Sequence, residues 1–180
     1  MSEWRKDPIS GRWVVIATER GKRPFNYNKT NEEKKSQECP FCEGNEHKTP
    51  PEIIAYRKKN SVKDHPGWWI RVVPNKYPAL VNHGDILKRQ CGVHKSMEGI
   101  GVHEVIVEST MHEPGLDRQA EEQVAEVIWA WRDRLLDLRR DVRLKYIQIF
   151  KNNGSAAGAS LEHTHSQIVA MPMVPLDVRR

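Results

Sequence analysis

The sequence predicts an α+β domain, one antiparallel sheet with a long helix packed against it. Three observations carry this. Short β-prone runs recur along the chain, bounded by proline, glycine and polar clusters. A single stretch, residues 118–140, has a sustained helical apolar stripe. Two further β-prone runs follow it, joined by a loop of glycine, alanine, serine and asparagine.

The elements fall in this order. Arg12–Thr18 reads as a strand, and the polar, cationic segment after it as a loop. Residues 38–45, ECPFCEGN, read as a tight turn around two cysteines. Pro50 and Pro51 interrupt the chain, with Glu52–Tyr56 a short strand beyond them. Trp68–Val73 is a strand ended by Pro74. Residues 75–100 hold Pro78, Gly84, Gly92 and Gly99 with little periodicity and read as an irregular, mobile excursion. Val102–Glu108 is a strand. Val102, Glu104, Ile106 and Glu108 lie on one face and His103, Val105 and Val107 on the other, and the more apolar second face is expected to meet the core. In the helix, Val124, Ile128, Trp131, Leu135 and Leu138 recur at steps of four, three, four and three. Asp117 is placed to cap it, Glu121 and Glu122 suit its positive end, and Arg139 and Arg140 suit the other. Lys145–Phe150 and Ser166–Met171 are the last two strands. There is no internal repeat and no linker, so residues 1–180 read as a single domain.

At 180 residues the chain can bury one proper core. No apolar run approaches membrane-spanning length and the N-terminus lacks a signal-peptide core, so a cytoplasmic protein with no membrane partner is expected. The net charge of +5 fits nucleic acid or a phosphorylated small molecule. Acidic and basic residues are interleaved, and no nucleic-acid-binding pattern occurs, which argues against nucleic acid. The three cysteines disfavour a disulfide framework. Cys91 reads as an ordinary loop thiol.

Cys39 and Cys42 form a C-x-x-C turn, which supplies two thiolates on one side of a tetrahedron. A structural zinc site needs two more Cys or His ligands. No second C-x-x-C exists, so histidines must complete it, and spacing alone does not choose among the eight. His112 follows a predicted strand and His163 precedes one, so both lie at sheet ends where they could converge. His47, His65, His83 and His94 read as surface residues, and His103 as a strand residue rather than a ligand.

Residues 150–160, FKNNGSAAGAS, run from one strand to the next. Small residues let a backbone approach a ligand closely, and exposed N–H groups, hydroxyls and amides can hold phosphate oxygens. Arg20, Lys22 and Arg23 lie on a distant loop that could fold over to neutralise the charge. The loop leads into His163-Thr164-His165-Ser166-Gln167. A histidine beside a phosphate can attack phosphorus through a neutral ring nitrogen, and Gln167 could then donate to a non-bridging oxygen.

Five stretches together, DPISGRWVVIATERGKRP, CPFCEGN, PNKYPAL, HEVIVESTMH and FKNNGSAAGASLEHTHSQI, span residues 7 to about 171. In this order they resemble the N-terminal half of the galactose-1-phosphate uridylyltransferase family, a branch of the histidine-triad superfamily. The resemblance implies a histidine-triad-like fold and ping-pong nucleotidyl transfer. His165 would attack the α-phosphate of UDP-glucose, release glucose 1-phosphate and form a uridylyl-histidine. Galactose 1-phosphate would then take the UMP, giving UDP-galactose. Gln167 would stabilise the nucleotidyl phosphate. Asn152 and Ser160 would contact it, Arg20 and Arg23 would lie near the phosphates, and Asn75 would meet the nucleoside. Cys39, Cys42, His112 and His163 match the family's zinc ligands. The partners implied are a UDP-sugar, a hexose 1-phosphate and a second copy of the chain, as a homodimer.

Three departures stand out. Thr164 replaces the proline that the family usually has between its two histidines. Lys76 follows Asn75 where several members carry aspartate. The family's second half has no counterpart in these 180 residues, so a separate C-terminal half is another possible partner. Two alternatives therefore stay open: the same chemistry on adenine nucleotides, as in ADP-sugar or diadenosine tetraphosphate phosphorylases, and a non-catalytic half that needs a partner chain.

Overall fold

A computed structural model describes residues 2–22, 39–112 and 115–179. Nine strands and one α-helix are present among them: β1 (Ser2–Lys6), β2 (Trp13–Ala17), β3 (Ile54–Arg57), β4 (Trp68–Pro74), β5 (Lys88–Cys91), β6 (His94–Glu98), β7 (Val102–Val107), α1 (Glu121–Leu138), β8 (Tyr146–Phe150) and β9 (His165–Met171). The class is α+β, as predicted, with two antiparallel sheets in place of one. A five-stranded sheet has the order β3-β4-β7-β9-β8, and a four-stranded sheet has the order β2-β1-β6-β5.

The smaller sheet contains the elements that sequence patterning missed. Residues 75–100 are not an irregular excursion throughout, because β5 and β6 form a hairpin in which Cys91 pairs with His94. Cys91 thus ends a strand rather than sitting in a loop. β5 is polar and exposed along its length and β6 offers one buried apolar residue, Met97, so no apolar alternation betrays them. β1 is equally disguised by charge. Trp4 is its anchor, buried against Leu80, Met97 and Met173, with its indole N–H donating to the Ile100 carbonyl at 3.2 Å.

Helix α1 packs on one face of the larger sheet. Ile70 and Val72 from β4, Ile106 from β7, and Ile168 and Ala170 from β9 meet Val127, Ala130 and Leu138 of the helix. Alternate strand residues share a face, so the helix-covered side of β7 is the one carrying Glu104 and Ile106, not the His103 side that its apolar content suggested. The reason is a buried ion pair. Arg134 of α1 reaches both Glu104 oxygens, Nη2 to Oε1 at 2.8 Å and Nε to Oε2 at 2.9 Å. The same pair rotates the helix. Its buried stripe is Val127, Ala130, Arg134 and Leu138, while Ile128 is 53% exposed. Asp117 does not cap α1. It sits in a 3₁₀ turn, Leu116–Arg118, and Ala120 holds the N-cap position.

The opposite face of this sheet is where the candidate site forms. In the β7–β9 pairing, His103 lies opposite Val169, Val105 opposite Gln167 and Val107 opposite His165. The six side chains therefore share one face. Among the described residues no helix is long and apolar enough to cross a membrane.

Candidate active site

The chain first builds a knuckle. Cys42 N–H donates to the Cys39 carbonyl (3.3 Å) and Asn45 N–H to the Cys42 carbonyl (3.1 Å), while the Asn45 amide closes onto the Cys39 carbonyl at 2.9 Å. Gly44 takes a φ of +92°, which suits a residue without Cβ. Buried Glu46 ties the knuckle to β4 by accepting from the Trp68 indole at 2.7 Å. Beyond it, Arg71 of β4 binds Glu52 (3.0 Å), Asp64 (2.7 Å) and the Thr49 hydroxyl (2.6 Å), pinning the following segment to the same strand.

Cys39, Cys42, His112 and His163 converge, with their ligand atoms all within 4.8 Å of one another. The Cys42 sulfur lies 3.3 Å from His112 Nδ1 and 3.5 Å from His163 Nδ1. His163 gives its Nε2 to the Ser109 carbonyl at 2.7 Å, which leaves Nδ1 facing the thiols as a lone pair. Burial pushes the His163 imidazole down to about 4, so it is neutral at pH 7. Burial, and then the neighbouring Cys39, push the Cys42 thiol up to about 12. A nearby cation reverses that logic, because a coordinated thiol loses its proton. This four-residue cluster could hold a metal ion.

His165 starts β9 immediately beyond the cluster and is 7% exposed. Its Nδ1 lies 2.8 Å from the His163 carbonyl. A carbonyl only accepts, so Nδ1 carries the proton and Nε2 the lone pair. The Phe41 ring, between the two cysteines, packs edge-on against His165 with centroids 5.3 Å apart, and also against His163 at 6.1 Å. The knuckle and the histidine pair are thus one packed unit.

Behind the histidines is a network that sequence reading did not anticipate. The Thr164 hydroxyl donates to the Glu108 carboxylate and accepts from Lys151 Nζ at 2.7 Å. Lys151 pairs with the same carboxylate and donates to the His165 carbonyl at 3.2 Å. Glu108 and Thr164 are buried, 0% and 2% exposed. Thr164 so uses both functions of its hydroxyl, in a position where proline would have none. The indole of Trp131 in α1 adds a bond to the Ser166 hydroxyl at 2.7 Å.

Two residues along, Gln167 forms a second convergence. His103 Nε2 lies 3.0 Å from Gln167 Oε1, Asn75 Nδ2 lies 3.4 Å from the same oxygen, and Arg20 Nη1 lies 3.3 Å from His103 Nδ1. Arg20, Asn75 and Gln167, far apart in sequence, meet around an imidazole that the sequence identified only as a strand residue. Asn152, half-buried, is tied to the site through its neighbour Lys151, and Ser160 is exposed on the same loop. Arg23 lies outside the described residues. His47, His65, His83 and His94 are exposed, as expected.

Comparison with known proteins places these features in context. The profile described as galactose-1-phosphate uridyl transferase, N-terminal domain, matches residues 1–175. The chain is 36% identical over 179 residues to an ADP-glucose phosphorylase of Arabidopsis thaliana, covering 96% of this chain and 49% of the relative. It is 30% identical over 177 residues to a galactose-1-phosphate uridylyltransferase of Thermotoga maritima, covering 97% and 48%. The crystal structure of an ADP-glucose phosphorylase from Arabidopsis thaliana with bound ADP-glucose superposes with a TM-score of 0.63 at 32% identity, covering 99% of this chain and 51% of that one. The chain spans about half the length of the curated relatives it matches.

Proposed function

The chain belongs to the galactose-1-phosphate uridyl transferase family, and from that premise we propose that it is a nucleotidyltransferase acting on hexose 1-phosphates through a nucleotidyl-histidine on His165. The observation that carries the reading is the orientation of His165, with Nδ1–H held by the His163 carbonyl. That arrangement makes Nε2 the lone-pair nitrogen of the ring and stabilises the positive ring that forms on attack. Nε2 bonds to the α-phosphorus as the bond from phosphorus to the bridging oxygen breaks, and the electron pair leaves with the hexose 1-phosphate. A second sugar phosphate then attacks the same phosphorus, and Nε2 recovers its electron pair. Gln167 donates to a non-bridging oxygen, and Arg20 supplies positive charge near the phosphates. Asn152 and Ser160 contact the nucleotidyl phosphate, Arg23 adds positive charge toward the phosphates, and Asn75 meets the nucleoside.

The first reading of the substrates is UDP-glucose and galactose 1-phosphate, supported by the Thermotoga maritima relative. A second reading, adenylyl transfer from ADP-glucose, is favoured by the Arabidopsis thaliana relative, and Lys76 after Asn75 departs from the aspartate of several family members at the nucleoside contact. The deciding experiment is incubation with each nucleotide sugar, read by intact mass. A gain of one UMP or one AMP that His165→Ala abolishes supports the reading and chooses between the two. No adduct from either, or an undiminished adduct on His165→Ala, sinks it.

The metal is zinc in this proposal, held by Cys39, Cys42, His112 and His163. A tetrahedron with Zn–S near 2.3 Å and Zn–N near 2.0 Å has S···N edges of about 3.5 Å. The two Cys42-to-histidine distances, 3.3 and 3.5 Å, suit that donor set. Bound there, zinc stiffens the segment that aims His165 and takes no part in the transfer. The residues act as a single cytoplasmic domain, in a homodimer or with a polypeptide corresponding to the relatives' other half.

A further inference from the structure

His103 of β7 is 6% exposed and belongs to no group that the proposed chemistry uses. Its ring nitrogens can be assigned from their neighbours. Nδ1 faces the Ala79 backbone N–H at 3.0 Å and Arg20 Nη1 at 3.3 Å. Both are donors with no lone pair to offer, so Nδ1 must accept and the ring proton sits on Nε2. Nε2–H in turn meets Gln167 Oε1 at 3.0 Å.

Asn75 makes the assignment firmer. Its Oδ1 accepts from the Tyr77 backbone N–H at 2.9 Å, which turns Nδ2 toward the same place. Nδ2 lies 3.1 Å from His103 Nε2 and 3.4 Å from Gln167 Oε1. Two donors cannot bond each other, so both are served by the one oxygen between them. Gln167 Oε1 is therefore engaged on the protein side, and its NH₂ group is the end left to face a ligand. A flipped amide would turn its oxygen toward the phosphate and set Nε2 against two donors.

Resting on the nucleotidyl-transfer reading, we propose that His103 is a positioning residue: as its Nε2–H tautomer it locks the Gln167 amide with the NH₂ toward the nucleotidyl phosphate, and it holds Arg20 on its other nitrogen. The pairing of β7 with β9 makes this possible. Val105 sits opposite Gln167, so His103 is the diagonal neighbour two residues away on the same face. Pre-orientation matters because a donor aimed before the reaction needs no reorganisation as charge gathers on the phosphoryl oxygens.

Two measurements on the intact chain test this. Imidazole ¹⁵N NMR at neutral pH should show His103 as the Nε2–H tautomer; an Nδ1–H tautomer or a doubly protonated ring would overturn the proposal. In single-turnover adduct formation, His103→Phe should slow transfer to His165 about ten- to hundredfold. The apparent Kd for the nucleotide sugar should change by less than about threefold. His103→Gln, which can still present an N–H, should recover most of the rate. A wild-type rate in His103→Phe, or a loss confined to Kd, overturns it. Should wild-type protein form no adduct with either nucleotide sugar, the functional reading fails, and the tautomer alone decides the role of His103.

Discussion

The Nδ1 of His165 is held at 2.8 Å by the carbonyl of His163. One backbone group thus links the two histidines of the motif, and they have different tasks. His163 sends its own Nδ1 toward Cys42 and anchors its Nε2 on Ser109. Its carbonyl, fixed by that anchoring, sets the tautomer and the aim of His165. Spacing by two residues is what lets a ring reach back to that carbonyl.

The cluster beneath this pair should bind metal in isolated protein. Elemental analysis is expected to give about one zinc per chain, and Cys39→Ser to reduce it to near zero. Metal removal should lower stability by about 3 kcal/mol when free zinc stands 100-fold above its Kd. Unchanged metal content in Cys39→Ser would remove that residue from the ligand set.

Thr164 should matter through its hydroxyl rather than through backbone stiffness. Thr164→Val leaves Lys151 and Glu108 short of a partner and is expected to cost about 1–3 kcal/mol. Thr164→Ser should stay within about 1 kcal/mol of wild type. Lys151→Met, which strands a fully buried carboxylate, should cost about 3–5 kcal/mol. Urea denaturation measures all three, and equal stability of the valine and serine variants would contradict the network.

The Arg134–Glu104 pair offers a separate test of the helix rotation. Arg134→Met should destabilise by about 3–5 kcal/mol, since Glu104 is left buried and charged. Adding Glu104→Gln should recover part of that loss. A double-mutant cycle with a coupling energy near zero would show that the pair does not set how α1 lies on the sheet.

Acid should weaken the fold through His163. Burial holds its folded-state value near 4, against an ordinary 6.5. Below pH 6.5 the unfolded chain takes a proton that the folded chain refuses until about pH 4. Stability is therefore full above pH 6.5 and falls as pH drops toward 4, by about 3 kcal/mol from this residue. The sign is the same with metal bound, because a ligand nitrogen must be free of its proton. Denaturation midpoints at pH 7.5 and pH 4.5 check it.

Much of this protein was legible in its sequence because local chemistry dictated it. The C-x-x-C turn, the paired histidines, the β-rich runs at 68–73 and 102–108 and the long helix each declare themselves through spacing or alternation. The family pattern then singled out His112 and His163 from eight histidines, and the structure brings both to the cysteines. Other features depended on partners remote in the chain. The helix stripe turned because Arg134 answers Glu104, 30 residues away. β5 escaped notice because a polar strand at a sheet edge needs no apolar face, and β6 because it buries a single apolar residue, Met97. The sheet face that builds the site, and the meeting of Arg20, Asn75 and Gln167 on His103, came only from strand register. Register is set by the summed burial and pairing of the whole sheet, which no local stretch of sequence contains.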